Sequence, residues 1–294
     1  MIGATERRGG RLTQNTLNTQ SKKVSLRVPR VLRATVLGST LCAACGARLM
    51  KLPAGPVAPA TDGSTVVADA TRACRAVSSI TAEIACSGSI GGRRFRVRLT
   101  AGFAPPASAR LEAAAPFGAP LFILVATGDD ATLLLPHDGR VLEHGRPAAV
   151  LEALAGLPLD AAELRSALVG CPLSADVASA KQMDDDWRLL GDGSNQSYFR
   201  RDRKASAWRL VATVHRPSSG AGWRAEYKDF ENGLPRSVRF VGSAADSFDV
   251  RLSLSQVETN ARLGPNVFQV QIPSDANPIT LDELRRARPG VRQD

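Results

Sequence analysis

Aromatic side chains are scarce in this chain of 294 residues: nine Phe, three Trp and two Tyr make up 5% of it. A large curved sheet must fill its interior with side chains or a guest, and so few bulky groups leave room for one. Histidine is scarcer still, limited to His137, His144 and His215. The first two flank an Asp-Gly turn and could approach across strands, but no third ligand shares their spacing, so no metal is expected. Of the five cysteines, Cys74, Cys86 and Cys171 follow no zinc pattern. An oxidising compartment permits one disulfide among them and leaves one thiol over; buried free cysteines are the favoured expectation.

Catalytic motifs are missing as well. There is no G-x-S-x-G elbow, no P-loop and no dinucleotide fingerprint between a strand and a helix. The run SGSIGG (87–92) precedes a strand and reads as a turn. The acidic run DDD (184–186) lacks the alternation and distal Glu of a calcium loop. No nucleophile, base and oxyanion donor come together, so no enzymatic activity and no cofactor is expected.

What is present begins with ATVLGSTLCAACG (34–46), an uncharged stretch behind Arg27, Arg30 and Arg33. As a helix, residues 34–44 reach about 16 Å, too short for a hydrocarbon core of about 30 Å. A basic flank, a short apolar core and small residues are the parts of a secretory signal. Ala43 and Ala44 stand directly before Cys45, an arrangement that resembles the bacterial lipobox, although Cys42 takes the place where leucine is preferred. Cys45 is therefore expected to be acylated and to become the first residue of the mature chain. Residues 1–26 are polar and without apolar periodicity, and a misassigned start is the expectation for them.

This processing changes the meaning of the charge. Residues 1–33 hold eight Lys/Arg and one Glu, a net +7 of the whole chain's +10, which leaves +3 for the mature part. Most of the signal that would point to nucleic acid lies in the segment expected to be removed, and nucleic acid is not expected as a partner.

Residues 45–63, rich in Gly, Pro and Ala, read as a flexible tether, and 64–294 as one domain. Val66, Ala70, Ala73, Val77 and Ile80 recur at three- and four-residue steps and predict a helix over 64–82. In RRFRVRLTAGF the period becomes two: Phe95, Val97 and Leu99 face one way, Arg94, Arg96 and Arg98 the other, as a solvated face. Short strands follow with tight turns, then two helical pieces at 147–156 and 160–170. Asp160 and Glu163 form a capping pattern, and Gly170 before Pro172 a stop. A second block of strands runs from WRLLGDG to VFQVQIP (267–273), and a short helix capped by Thr280 and Glu283 closes the chain. The expected fold is α+β, mainly antiparallel β: an incomplete curved β-barrel with helices covering the open side. Leu111, Leu121, Ile123, Val125, Leu133 and Leu135 are expected to line or back an apolar cavity.

Residues 111–172, from LEAAAPFGAPLFILVATG to LPLDAAELRSALVGCP, resemble the outer-membrane lipoprotein insertase LolB and its LolA/LolB-like relatives. The shared features are a Pro-apolar-Gly hairpin (Pro116, Phe117, Gly118), a strand pair with an Asp-Gly turn, and a helix ending in Leu154-Ala155-Gly156. Downstream, GWRAEYKDFENGLPRSVRFVG (222–242) is similar to the family's Gly-Trp-x-x-x-Tyr strand followed by a Leu-Pro strand. The resemblance spans about residues 64–272; Ser166 and Ala167 stand where the family often has a tryptophan, and the C-terminal tail extends past the family core. It implies a cavity for acyl chains of lipoproteins or lipids, a periplasmic LolA-like carrier as partner, and insertion of clients at the outer membrane. By the same resemblance, Phe117 on its hairpin enters the membrane. The alternative on the same fold is a non-transporting envelope lipoprotein, a sensor or an assembly factor. Gly46 after the cysteine is not the aspartate of inner-membrane retention, so the expected place is the outer membrane, facing the periplasm.

Stable anchoring takes two or more acyl chains. Replacing Cys45→Ser is expected to move the protein from the membrane fraction to the soluble one. Retention on the membrane with Cys42 acylated would place the anchor three residues earlier.

Overall fold

The computed structural model describes residues 48–55, 57–115, 118–173, 180–191, 193–218, 220–244 and 248–287. Cys45, Pro116 and Phe117, together with the signal segment, lie outside the described residues. Residues 49–294 make up one compact unit.

After a two-residue strand β1 (Ala58–Pro59), helix α1 (Gly63–Arg75) leads into a long meander. Its strands are β2 (Ile80–Ile90), β3 (Arg93–Ala104), β4 (Ser108–Ala114), β5 (Phe122–Thr127), β6 (Asp130–Leu135) and β7 (Arg140–Gly145). Helices α2 (Pro147–Ala155) and α3 (Ala161–Val169) interrupt it. A second meander follows: β8 (Lys181–Asp184), β9 (Trp187–Leu190), β10 (Asn195–Asp202), β11 (Ala207–His215), β12 (Trp223–Glu231), β13 (Leu234–Gly242) and β14 (Phe248–Thr259). The strand β15 (Asn277–Pro278) and helix α4 (Leu281–Ala287) come last.

Among the described residues these strands form one sheet in the order β1-β8-β9-β10-β11-β12-β13-β14-β2-β3-β4-β5-β6-β7-β15. All neighbours are antiparallel except β15 on β7. The terminal strands β1 and β15 are not paired with each other, so the sheet is an open, incomplete barrel. The expected fold class is the observed one. The two meanders meet where β14 pairs with β2, from Phe248↔Ile90 to Thr259↔Ile80.

Alternation decides which face is which. Ile80, Ala82, Ile84 and Cys86 on β2, Ala109, Leu111 and Ala113 on β4, and Val250, Leu252 and Leu254 on β14 are buried. All but Ala113 join one apolar core with α1, α2 and α3. The helices α2 and α3 carry the chain from edge strand β7 to β8 at the other side of the sheet, crossing its concave face. Their ends are built as their residues dictate. Pro147 opens α2, Gly156 ends it in the left-handed conformation (φ 72°), and Asp160 and Glu163 form a reciprocal capping box at the start of α3.

Several expectations change. The helix expected over 64–82 stops at Arg75, and Ile80 opens β2 instead. Val77 and Ile80 extend the helical spacing, yet Ser78 and Ser79 are pinned outside it. Ser78 N–H and Oγ donate to Asn260 Oδ1 (2.8 and 2.9 Å), and Ser79 Oγ donates to Ala261 O (2.6 Å). The run 87–92 is a turn only at Gly91-Gly92, since Ser87–Ile90 continue β2. VFQVQIP is not a strand: Pro265–Phe268 form a 3-10 turn and irregular chain follows. Arg110 Nη1 donates to the carbonyls of Val267 (3.3 Å) and Gln269 (3.0 Å), which holds this segment across the outer face of β4 rather than at a sheet edge.

The stretch read as a tether is in part fastened to the sheet. Met50 N–H donates to Glu226 Oε1 (2.7 Å), Met50 and Leu52 pack on an outer-face cluster with Tyr198 and Val214, and Ala58–Pro59 pair with β8. Asp62 forms a two-pronged ion pair with Arg188 (2.7 Å to each carboxylate oxygen), which holds the Asp62 carboxyl below its ordinary range.

Cys74 and Cys171 form a disulfide, against the expectation that these cysteines are free, while Cys86 is free and buried. The burial pattern of α1 explains the pairing: Cys74 lies on its buried face at the last turn, and Cys171 follows the Gly170 stop of α3. The bond closes a separation of 97 residues that includes the whole first meander. Replacing both by serine is expected to lower unfolding stability by about 2–4 kcal/mol, as a shift of the urea midpoint. An unchanged midpoint would show that the helices hold their places without the bond.

Candidate functional site

A cavity of about 90 Å³ lies between the concave face of the sheet and the two crossing helices. The sheet supplies Ile84, Cys86 and Ile90 from β2, Phe95, Val97 and Leu99 from β3, Leu111, Phe122, Val250 and Leu252. The helices supply Leu151, Leu154, Ala155, Leu164 and Leu168, with Leu157 from the connection between them. Among the described residues, no charged side chain lines it. Such a chamber excludes ions and favours hydrocarbon.

The cavity opens toward the end of the sheet where β3 begins. Phe95, Val97, Leu99 and Phe122 are only half-buried there, whereas Ala101 and Phe103, farther along β3, are closed in. On the opposite lip, Gly156 comes so close to the half-buried Phe248 that a Cβ on it would lie 3.0 Å from the ring. The connection from β4 to β5 emerges at this same end, since Ala114 pairs with Arg98 and Ala113 with Phe122. Within that connection Gly118 has φ 81°, and nothing lies within 4 Å of where its Cβ would be.

Among the described lining residues, Cys86 is the one with a titratable group. Burial pushes its thiol up to about 12, so it stays protonated and acts as a small apolar side chain. Deeper in the core, burial likewise pushes the Tyr227 hydroxyl up to about 12, opposed by its hydrogen bond with Thr213 (3.4 Å). Neither group has a catalytic partner in view. Among the described residues no group of three or more His, Cys, Asp or Glu could hold a metal ion. His137 Nε2 donates to Ala119 O (2.8 Å) and His144 Nδ1 meets Asp130 (3.3 Å), so the two histidines turn to separate partners.

Of the residues expected at the cavity, Leu111 lines it. Leu133 and Leu135 lie on the concave side in the same core without reaching the cavity wall. Ile123 and Val125 belong to the opposite face. On β5 the inward set is Phe122, Leu124 and Ala126, and Val125 lines an outer groove with Phe268, Val270 and Ile272. Leu121 precedes the strand, with its N–H bonded to Ala113 O (2.9 Å). The correction is one of parity: PLFILVA (120–126) is apolar at every position, so alternation gives no inward face, and the C-terminal chain covers the outward one. The contribution of β2 went unread because Val77 and Ile80 extend the helical pattern. The alternation of Ile80, Ala82, Ile84 and Cys86 was the signal for it.

Among the described residues, no helix is long and apolar enough to cross a membrane. No family model and no curated protein matches the sequence. Solved structures similar to this chain include a LolA superfamily protein from Nitrosomonas europaea, at 12% identity and TM-score 0.49, covering 71% of this chain and 97% of that one. A DUF1329 family protein from Desulfovibrio piger is similar at 12% identity and TM-score 0.44, over 72% of this chain and 97% of that one.

Proposed function

We propose that this chain is a membrane-anchored envelope lipoprotein that takes acyl chains of lipids or lipoproteins into its apolar cavity and passes them to the outer membrane. The observation that carries this reading is the uniform lining: every described residue around the cavity is apolar, and its mouth is built from half-buried Phe and aliphatic side chains. Each buried methylene contributes roughly 0.8 kcal/mol, so a hydrocarbon chain binds without any charged contact.

The volume sets a condition. A cavity of about 150 Å³ accepts one benzene, and this one measures about 90 Å³. A full acyl chain therefore requires α2 and α3 to move off the sheet. Their supports suit such a motion, with a glycine in the left-handed region at the end of each helix, Gly156 and Gly170. The lipid anchor at Cys45, the carrier that hands over clients, and the membrane-entering role of Pro116, Phe117 and Gly118 belong to the same reading and rest on the sequence resemblance.

Occupancy can be read at Cys86. In the full-length protein, peptide mass spectrometry should find Cys86 slow to react with maleimide when folded and fast in urea. Palmitate should slow the folded-state labelling further, because the chain and the reagent compete for one space. Leu154→Trp should weaken displacement of a fluorescent fatty acid about tenfold while leaving the thermal midpoint within a few degrees. Protein isolated with no bound lipid that also fails to take up palmitate would overturn the reading.

Transfer is tested separately. Phe117→Glu should leave fatty-acid uptake unchanged and stop delivery to liposomes. If that variant delivers lipid normally, the hairpin is not the entry point, and the non-transporting alternative gains.

A further inference from the structure

The outer face of β3 has no function in the cavity reading. Arg94, Arg96 and Arg98 project from it, all exposed. Successive outward positions on a strand are about 7 Å apart, so like charges are held in a row. Their cross-strand neighbours are neutral and small: Ser89, Ser87 and Ala85 on β2, with Ala114 on β4 opposite Arg98.

The carboxylates nearby are engaged or displaced. Asp249 bonds Arg239 (2.6 and 2.8 Å) and lies 3.6 Å from Arg251, which holds its carboxyl below the ordinary range. Glu112 pairs with Arg110 (3.1 Å). Glu83 stands opposite Thr100 and Ser255, one outward step past Arg98. Two strands from Arg96, Arg251 adds another half-exposed cation. The outer face is thus cationic from β3 to β14.

Position gives the row its meaning. The same strand turns Phe95, Val97 and Leu99 to the cavity mouth, and the β4–β5 connection leaves the sheet at the same end. We infer that Arg94, Arg96 and Arg98 form a docking surface for an anionic bilayer, which brings the rim beside the cavity mouth to the lipid. A row flanked by Ser and Ala offers no socket for one carboxylate, as a protein partner would need. It suits the diffuse negative potential of lipid headgroups, where each basic side chain adds about fivefold to partitioning. The inference goes beyond the cavity reading, and either can fail alone, because the assay below contains no acyl-chain transfer.

The test is vesicle co-sedimentation of the full chain, with phosphatidylcholine alone or mixed with phosphatidylglycerol, at low and high salt. Every variant keeps the basic N-terminal segment, so differences report the folded surface. R94Q/R96Q/R98Q is expected to bind the anionic vesicles at least about tenfold more weakly with an unchanged thermal midpoint. R94K/R96K/R98K is expected to bind as the parent does, since a diffuse field reads charge rather than geometry. The control R200Q/R201Q/K204Q removes equal charge from an exposed patch on β10 and the turn after it and is expected to change binding less than twofold. Equal loss in control and β3 variants, no loss in the Gln variant, or failure of the Lys variant would each overturn the inference.

Discussion

The structure depends on one constraint: an open, curved sheet exposes an apolar concave face that it cannot bury against itself. The chain meets this by carrying α2 and α3 from one edge strand, β7, to the other side of the sheet at β8. The two helices lie against strands with which they share no hydrogen-bond ladder. Their hold is side-chain packing, the capping box that fixes the start of α3, and the disulfide just beyond it. Packing that is lateral and apolar can be exchanged for other apolar contacts at little cost. The same two helices therefore seal the core and form one wall of the cavity.

The remaining devices act on the other surface. Met50 and Leu52 pack on the outside of the second meander, and Ala58–Pro59 add β1 to its edge. The C-terminal segment crosses β4, β5 and β6, pairs beside β7, and docks α4 with Leu284 fully buried. Each end of the open sheet is closed by a two-residue strand from one end of the domain, which blunts the free edges of a long sheet.

Much of this was legible in the residues. The switch of period at RRFRVRLTAGF, the turn glycines, Pro147 and the Asp160–Glu163 pair place strands and helices where they are found. The order helix, strands, helices, strands, helix is the observed one. What failed did so for two reasons. Local periodicity can continue past an element by coincidence, as Val77 and Ile80 do beyond α1, until distant partners such as Asn260 and Ala261 decide the backbone. An all-apolar strand also carries no parity, so the inward face of β5 depends on what covers its other side, a segment more than 130 residues later. The cavity was readable as a composition, from its shortage of aromatics, but its walls were not, because they join β2, β3 and β14 with two helices far apart in sequence.

The seam between β14 and β2 sets the order in which the molecule can be completed. Strands β2 to β7 are neighbours in sequence and can pair as they emerge, leaving β2 with one side of its backbone open. Its partner on that side ends at Thr259. A chain delivered N-terminus first thus holds an eleven-residue bare edge until nearly the whole polypeptide has arrived, and its longest loop is closed last. That interval is when a neighbouring molecule's strand can compete for β2, because an unpaired strand edge is a template for pairing with another chain.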